Sequence, residues 1–290
     1  MKTIEDYQRM AEEEISQSLR SNEKLLQHRL LEAMRYSLLA GGKRVRPVLV
    51  LAFCEAAGGD AEKALPVAVA VEMLHTYSLI HDDLPCMDND RLRRGKPTNH
   101  IVYGEFTATL AGDALQAEAF GTILRSDLPA TVKADCAEAL ANAAGVDGIC
   151  GGQQLDMEGN GKTLLEDELI DVQSRKTGSL LSAACLMGAI VGGAKEKQRE
   201  AAQIYGAAIG AAFQIRDDML DELSTDEKLG KTIGSDRRDK KTTFMSLYGA
   251  EKCAKMVSRL TDNAKRTVLE VFPNPQLLIE FADRLAAREN

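Results

Sequence analysis

The chain has 290 residues, of which 44% are hydrophobic and 28% are charged, and its formal net charge at pH 7 is −8. This composition is typical of a soluble globular protein, and the negative charge argues against a general nucleic-acid binder, whose domain normally presents a basic face. No glycine-, serine- or proline-rich linker divides the sequence, so we expect one domain over residues 1–290 and no nucleic-acid partner.

Apolar residues recur every three or four positions and strand-like alternation is missing, so the sequence predicts an almost entirely α-helical fold. Gly41-Gly42 and Gly58-Gly59 suit helix ends, and Pro47 and Pro66 suit first turns. The predicted helices cover residues 3–20, 24–40, 46–57, 66–83, 105–126, 130–144, 146–158, 166–192, 196–222, 242–271 and 275–288, with breaks near Lys176-Thr177-Gly178 and Gly249. Glycine and alanine along residues 206–212 would let that helix approach its neighbours closely.

Three features bear on where the protein works. The six cysteines are scattered without a CxxC pair, which favours reduced thiols and a cytoplasmic location. The amino terminus has no apolar signal region that would direct export. The uncharged stretch from Thr177 to Ala194 contains serine, threonine and four glycines but few large aliphatic residues, so it predicts a buried helix and no membrane insertion.

Two acidic clusters stand far apart in the chain, Asp82-Asp83-Leu84-Pro85-Cys86-Met87-Asp88 and Asp217-Asp218-Met219-Leu220-Asp221. In a helix, the second cluster puts all its carboxylates on one face, where their repulsion favours binding of a cation. In the first, Pro85 prevents a simple helical continuation, so Asp88 reaches a shared site only if the loop turns back. Either cluster alone could be a solvated acidic helix end, but together they predict a site for metal ions and a polyphosphate.

Basic runs lie near both acidic clusters. The segment Gly42-Lys43-Arg44-Val45-Arg46-Pro47 puts cations at a predicted helix start, where an anion would relieve their unfavourable interaction with the helix dipole. Residues 91–96 follow the first cluster, and Lys231 and Lys240-Lys241 follow the second. Arginine binds phosphate oxygens bidentately and lysine supplies a point charge. Each run alone is typical of a solvated surface, but beside the aspartates they predict a diphosphate site.

In their order along the chain, these motifs resemble those of the trans-isoprenyl diphosphate synthases, most closely the bacterial farnesyl diphosphate synthases. The first aspartate motif has the two-residue insertion with proline that marks the bacterial type. The other matching segments are Gly42–Pro47, Arg93-Arg94-Gly95, Gly112–Gln116, Gly151–Asp156, Lys176-Thr177-Gly178 and Phe213–Asp221. After Lys240-Lys241 the chain departs from the family, which often has a proline there, and the local helix start is therefore uncertain.

The resemblance implies an all-α, single-domain bundle of roughly ten to thirteen helices around a deep central cavity, assembled as a homodimer. It also implies a prenyltransferase that joins isopentenyl diphosphate to dimethylallyl or geranyl diphosphate and forms farnesyl diphosphate. The expected cofactor is Mg²⁺, with about three ions in each active site.

The same resemblance assigns residues to roles. The expected metal ligands are Asp82, Asp83, Asp88, Asp217, Asp218 and Asp221. Contacts to the allylic diphosphate are expected from Arg93, Lys176, Lys231 and Lys241, and contacts to isopentenyl diphosphate from Lys43, Arg46, His75 and Arg94. Thr177 and Gln214, with the Lys176 carbonyl, would present dipoles to the allylic cation. Tyr77, the fifth residue before Asp82, and its neighbour Ser78 would limit product length.

Several alternatives are open. A terpene cyclase would carry Asn or Asp, then Ser, then Glu in its second metal motif, and a non-catalytic subunit of a prenyl synthase usually loses one aspartate cluster. A di-metal carboxylate bundle needs Glu-x-x-His motifs on two helices, a set that the sequence lacks. Within the family, geranylgeranyl and geranyl diphosphate synthases are the alternatives, because product length should depend on cavity depth.

Overall fold

The computed structural model describes residues 2–19, 24–223 and 241–288, and within these ranges the fold is all-α, as predicted. Thirteen α-helices lie in the described part of the chain. They are α1 Ile4–Ser18, α2 His28–Leu38, α3 Val45–Ala56, α4 Leu65–Asp82, α5 Asn99–Tyr103, α6 Glu105–Arg125, α7 Ala130–Ala144, α8 Ile149–Gly159, α9 Glu166–Gln173, α10 Ser179–Val191, α11 Glu196–Leu223, α12 Phe244–Leu269 and α13 Gln276–Ala287. A 3₁₀ turn covers Ala61–Ala64, and a π-helical turn, Ser174–Gly178, joins α9 to α10.

Local capping explains where two of the helices begin. Thr3 Oγ1 accepts from the Asp6 amide at 3.1 Å, and the Asp6 carboxylate accepts from the Thr3 amide at 2.9 Å, a capping box for α1. Thr243 caps α12 in the same way, accepting from the Ser246 amide at 3.1 Å. The helix start that the missing proline left uncertain is therefore formed by a threonine hydroxyl.

The predicted breaks near residues 176–178 and 249 are both confirmed. The first is the π-helical turn, and the second is Gly249, whose φ of 70° lies outside the helical region. Two elements between α4 and α6 were not predicted, the short helix α5 and a hairpin of the strands β1 Leu92–Arg93 and β2 Lys96–Pro97. Arg94 and Gly95 form the hairpin turn with φ values of 54° and 73°, as a two-residue β-turn requires.

The interior is built mainly from Ala, Leu, Ile and Val side chains that α1 to α4, α6, α7, α10 and α11 contribute to one large cluster. Helix α10 is buried along most of its length, which agrees with the buried helix predicted there. A Cβ added at Gly206 or Gly210 would lie 2.5 Å from Ser182 Cα or 2.9 Å from Gly178 Cα, respectively. These contacts confirm the close approach expected of this helix. No described helix is both long and apolar enough to cross a membrane.

Candidate active site

The loop after α4 turns back on itself, which was the condition for Asp88 to reach a site shared with Asp82. The Asp88 amide donates to the Asp82 carbonyl at 2.9 Å, and the Asn89 amide donates to the Leu84 carbonyl at 3.1 Å. Asn89 adopts a φ of 53°, in the left-handed region, to close the turn. Asp82, at the end of the helix, and Asp88, in the loop, are thereby brought next to each other.

The Asp83 carboxylate pairs with Arg93 of the hairpin. Its Oδ1 accepts from Arg93 Nε at 2.9 Å and from Nη2 at 2.5 Å, and Arg93 also lies 3.3 Å from Asp90 Oδ2. Burial raises the pKa of Asp83 to about 6, although Arg93 opposes that rise. The predicted contact residue Arg93 is thus held beside the first cluster by one of that cluster's own carboxylates.

Asp82 lies in a region of excess negative charge. Burial raises its pKa, Lys176 opposes the rise, and the nearby carboxylates of Asp88 and Asp156 add to it. A bound cation would relieve both the burial of this charge and the repulsion between the carboxylates.

Asp156 on α8 connects two of the predicted diphosphate-binding lysines. Lys176 Nζ donates to Asp156 Oδ2 at 2.8 Å and Lys241 Nζ donates to the same oxygen at 3.0 Å, while Lys241 Nζ also lies 3.7 Å from Asp88 Oδ1. Burial alone would raise the pKa of Asp156, but the two lysines lower it overall. Both ammonium groups are therefore held at the edge of the first acidic cluster.

Hydrogen bonds through Thr177 and Gln214 connect the region of Lys176 to the second acidic cluster. Thr177 Oγ1 donates to Gln214 Oε1 at 3.2 Å, and Gln214 Nε2 donates to Asp218 Oδ1 at 2.9 Å. Asp218 is 6% exposed, and its second oxygen accepts from the Phe244 amide at 2.8 Å. Asp217 forms an ion pair with Arg288, whereas Asp221 is half-buried.

A chain of contacts therefore joins the two acidic clusters across the molecule. It runs from Asp88 through Lys241 and Asp156 to Lys176, and the next residue, Thr177, continues it toward the second cluster. The predicted residue Lys231 lies outside the described residues.

The predicted ligands of isopentenyl diphosphate form a separate basic group near the start of α3. Burial lowers the pKa of His75 well below its usual value, and the cations Arg46 and Arg94 lower it further, so the imidazole is neutral at neutral pH. Burial also lowers the pKa of Arg46 to about 10, where it keeps its charge. Its Nε is buried and has no hydrogen-bond partner among the residues that the structure describes. Lys43 is exposed at the same loop. An unsatisfied buried donor beside a neutral imidazole suits an incoming anion.

Tyr77 is held on two sides, one helical turn before the first cluster. Its hydroxyl lies 3.1 Å from Cys150 Sγ, and its ring packs edge-on against His81 with 5.3 Å between centroids. His81 itself lies against Gly112, where an added Cβ would come within 2.2 Å of His81 Nε2. The Ser78 hydroxyl donates to the backbone carbonyl three residues earlier at 2.9 Å. Tyr77 is thus a bulky side chain with contacts on two sides, whereas Ser78 is small and bonds to the backbone of its own helix.

The arrangement of carboxylates fits Mg²⁺ if a diphosphate completes the coordination. Among the described residues, no group of three or more His, Cys, Asp or Glu side chains could hold a metal ion alone. Mg²⁺ usually takes only one or two carboxylates from a protein and fills its other positions with water and substrate phosphates. Asp82 and Asp88, which the turn of the loop brings next to each other, are the carboxylates available for such an ion in the first cluster.

Three polar residues of this region received no role from the sequence. Asp156 ends the matching segment Gly151–Asp156, and its position in that segment was the available signal. Glu72 was detectable as the one Asp, Glu, Lys or Arg between residues 65 and 81, an otherwise mostly apolar stretch. Nothing in the sequence separates Cys150 from the other cysteines, because its contact with Tyr77 exists only in the folded chain.

The model of the polyprenyl synthetase family matches residues 27–271. The chain belongs to this family and is a prenyltransferase. It is 49% identical over 265 residues to the geranylgeranyl diphosphate synthase of Cyanophora paradoxa, covering 90% of this chain and 88% of the relative. It is 45% identical over 265 residues to the farnesyl diphosphate synthase of Geobacillus stearothermophilus, covering 90% and 89%. Its fold is similar to that of a geranyltransferase from Helicobacter pylori complexed with magnesium and isoprenyl diphosphate, with a TM-score of 0.84, 32% identity and coverage of 97% and 95%.

Proposed function

We propose that the chain condenses isopentenyl diphosphate with dimethylallyl and then geranyl diphosphate to form farnesyl diphosphate. The observation that carries the proposal is the line of contacts from Asp88 through Lys241, Asp156 and Lys176 toward Gln214. It brings two acidic clusters, two lysines and two neutral dipoles to one site, which is the set of groups that ionisation of an allylic diphosphate requires.

In the first step, the allylic carbon–oxygen bond breaks and leaves a delocalised carbocation and a diphosphate. Lys176 and Lys241, which share Asp156, would bind the diphosphate as its charge develops, together with Arg93 and Lys231. The aspartates of both clusters would hold Mg²⁺, about three ions, whose charge neutralises the leaving diphosphate.

The carbocation would then be stabilised by neutral dipoles. The Thr177 hydroxyl and the Gln214 amide lie 3.2 Å apart beside the lysines. Their oxygens present partial negative charge without a nucleophile strong enough to capture the cation. Apolar surroundings would exclude water, which would otherwise end the reaction as an alcohol.

In the second step, the double bond of isopentenyl diphosphate attacks the cation. Lys43, Arg46, His75 and Arg94 would hold its diphosphate, and the oriented double bond then forms the new carbon–carbon bond. Loss of one proton, with the released diphosphate as the base, removes the positive charge from the hydrocarbon chain and forms the new double bond of the product.

The relatives of this chain differ in the length of their product, because they include both farnesyl and geranylgeranyl diphosphate synthases. Tyr77 supports farnesyl diphosphate because its ring is 6% exposed and fixed between Cys150 and His81. Geranylgeranyl diphosphate is the second candidate product, favoured by the 49% identity to the Cyanophora enzyme.

A homodimer is supported by an exposed apolar surface on α5 and α6. Phe106 is 74% exposed and Leu110 is 50% exposed, and Ile101 and Val102 on α5 are 46% and 44% exposed. Large exposed apolar surfaces of this kind mark protein interfaces, and a second copy of the chain would bury this one.

The test is an assay of the purified chain with isopentenyl and geranyl diphosphates and Mg²⁺, with products identified by mass spectrometry. Farnesyl diphosphate as the main product would support the proposal, and a geranylgeranyl product would support the second candidate. Absence of any condensation would refute both. A double variant, Asp82→Asn with Asp218→Asn, is the inactive control.

A further inference from the structure

Glu72 is a carboxylate buried in the apolar helix α4, and the proposed mechanism gives it no role. Its side chain is 2% exposed. Arg44 Nη1 donates to Glu72 Oε1 at 2.5 Å, and Arg94 Nη2 lies 3.7 Å from the same oxygen. A buried charge is retained only when it is paired, so these contacts explain how an otherwise apolar helix accommodates the carboxylate. They also tie two arginines from distant parts of the chain to one atom.

The first arginine fixes the loop that precedes α3. Arg44 has a φ of 47°, a left-handed conformation that is unusual for a residue other than glycine. Besides Glu72, its guanidinium donates to Glu12 Oε1 at 2.7 Å and to the Leu38 carbonyl at 2.9 Å. The side chain thus joins the loop of residues 39–44 to α1, α2 and α4. These contacts stabilise a backbone conformation that would be strained without them.

The second arginine, Arg94, contacts the same loop from the turn of the hairpin. Arg94 also has a positive φ, 54°, and donates to the Gly41 carbonyl. A Cβ added at Gly42 would lie 2.8 Å from Arg94 Cζ, so the guanidinium is in close contact with the loop backbone. Glu72 contributes the negative charge that lets Arg94 and Arg44 lie so close together.

Glu72 has two opposite effects on an anion that binds in this region. Its charge repels a diphosphate, but the positive charges of Arg44 and Arg94 beside it reduce that repulsion. Its direct contacts, in contrast, hold the arginines in place and offset their mutual repulsion. The contact distance of 2.5 Å makes the second effect the larger one.

We propose that Glu72 is a positioning residue for isopentenyl diphosphate and acts through Arg44 and Arg94. Arg44 fixes the loop that carries Lys43 and the start of α3 that carries Arg46, and Arg94 is itself one of the expected ligands. The inference rests on the proposed function, because it concerns the binding of the second substrate of that reaction. Glu72 touches no reacting atom, so its effect should be on substrate affinity and not on the rate at saturation.

The test compares Glu72→Gln with the unchanged chain in steady-state kinetics. We expect the KM for isopentenyl diphosphate to rise about tenfold or more, while kcat at saturation and the KM for geranyl diphosphate change less than about twofold. Glu12→Gln is the matched control, since Glu12 pairs with Arg44 but its side chain is 42% exposed. Its KM for isopentenyl diphosphate should rise only about twofold.

Three results would overturn the inference. An unchanged KM for isopentenyl diphosphate means that the contacts do not matter, and a lowered KM means that charge repulsion is the larger effect. An equal loss in both KM values and in kcat means that Glu72 only stabilises the fold. If Glu72→Gln does not fold by circular dichroism, the same criteria apply to the double variant Glu72→Met with Arg44→Met, which removes both charges of the buried pair. Inactivity of the unchanged chain would instead refute the proposed function.

Discussion

Replacing Tyr77 with alanine should lengthen the products of this enzyme by at least one five-carbon unit. The ring is 6% exposed, and it is fixed by the 3.1 Å contact between its hydroxyl and Cys150 Sγ and by the edge of His81. Both contacts oppose rotation of the ring out of the path of a longer chain. Alanine removes the ring and its hydroxyl, which together are larger than one prenyl unit.

The size of the effect follows from apolar burial. Each buried methylene contributes about 0.8 kcal/mol, so enclosing one further five-carbon unit is worth about 4 kcal/mol, or about a thousandfold in affinity. A gain of this size makes farnesyl diphosphate a good substrate for the next condensation. The truncation also removes packing inside the protein, and a buried aromatic residue changed to alanine usually costs about 3–5 kcal/mol of stability. The assay should therefore be run well below the melting temperature of the variant.

The assay incubates Tyr77→Ala with geranyl diphosphate and excess isopentenyl diphosphate, and separates the dephosphorylated products by chromatography with mass detection. Geranylgeranyl and longer chains are the expected products. Tyr77→Phe is the matched control, because it keeps the ring and loses only the contact with Cys150, and its product length should be unchanged. If a folded Tyr77→Ala protein has the same product ceiling as the unchanged chain, the floor of the cavity lies elsewhere.

Three further predictions concern other parts of the molecule. Asp156→Asn removes the carboxylate that Lys176 and Lys241 share, so kcat should fall up to about 100-fold in steady-state assays while circular dichroism stays unchanged; an unaltered kcat would contradict that role. Burial lowers the pKa of His75 below its usual 6.5, so as the pH falls below 6.5 the unfolded chain binds a proton at this residue that the folded chain does not. The contribution of the neutral imidazole to stability is therefore present above pH 6.5 and is lost progressively below it. The stability advantage of the unchanged chain over His75→Gln, measured by urea unfolding, should therefore shrink by up to about 1.4 kcal/mol between pH 7.5 and pH 5.5, and a constant difference would contradict the assignment. Phe106→Asp should dissociate the proposed dimer in light scattering, because it places a charge in the exposed apolar surface of α6, whereas Glu118→Gln should not.

The helices could be predicted from the sequence because their apolar periodicity is long and regular. The hairpin could not, since strands of two residues leave no alternating pattern, although the Arg94-Gly95 turn was a weak signal. Short α5 was missed for a similar reason, because five residues make little more than one helical turn.

The site could be predicted in composition but not in pairing. The sequence identified both acidic clusters, yet it treated Asp82 and Asp83 alike, whereas the fold pairs Asp83 with Arg93 and leaves Asp82 beside Asp88. Such differences depend on which helix or hairpin each side chain meets. The same limit applies to Glu72, whose arginine partner Arg44 is 28 positions away. Tertiary contacts of this kind have no local pattern in the sequence.

The π-helical turn at Ser174–Gly178 also sets a limit on how this gene could be shortened. A π turn contains one more residue than the α-helical turn it replaces. Deleting one residue there would let an ordinary α-helical turn join α9 to α10, but it would displace the side chains inside the turn. Lys176 and Thr177 would leave their partners. The turn also packs closely against α8, because a Cβ added at Gly152 would come within 2.3 Å of the Lys176 nitrogen. Single-residue deletions should therefore be tolerated far less in this turn than in the loop between α8 and α9, residues 160–165.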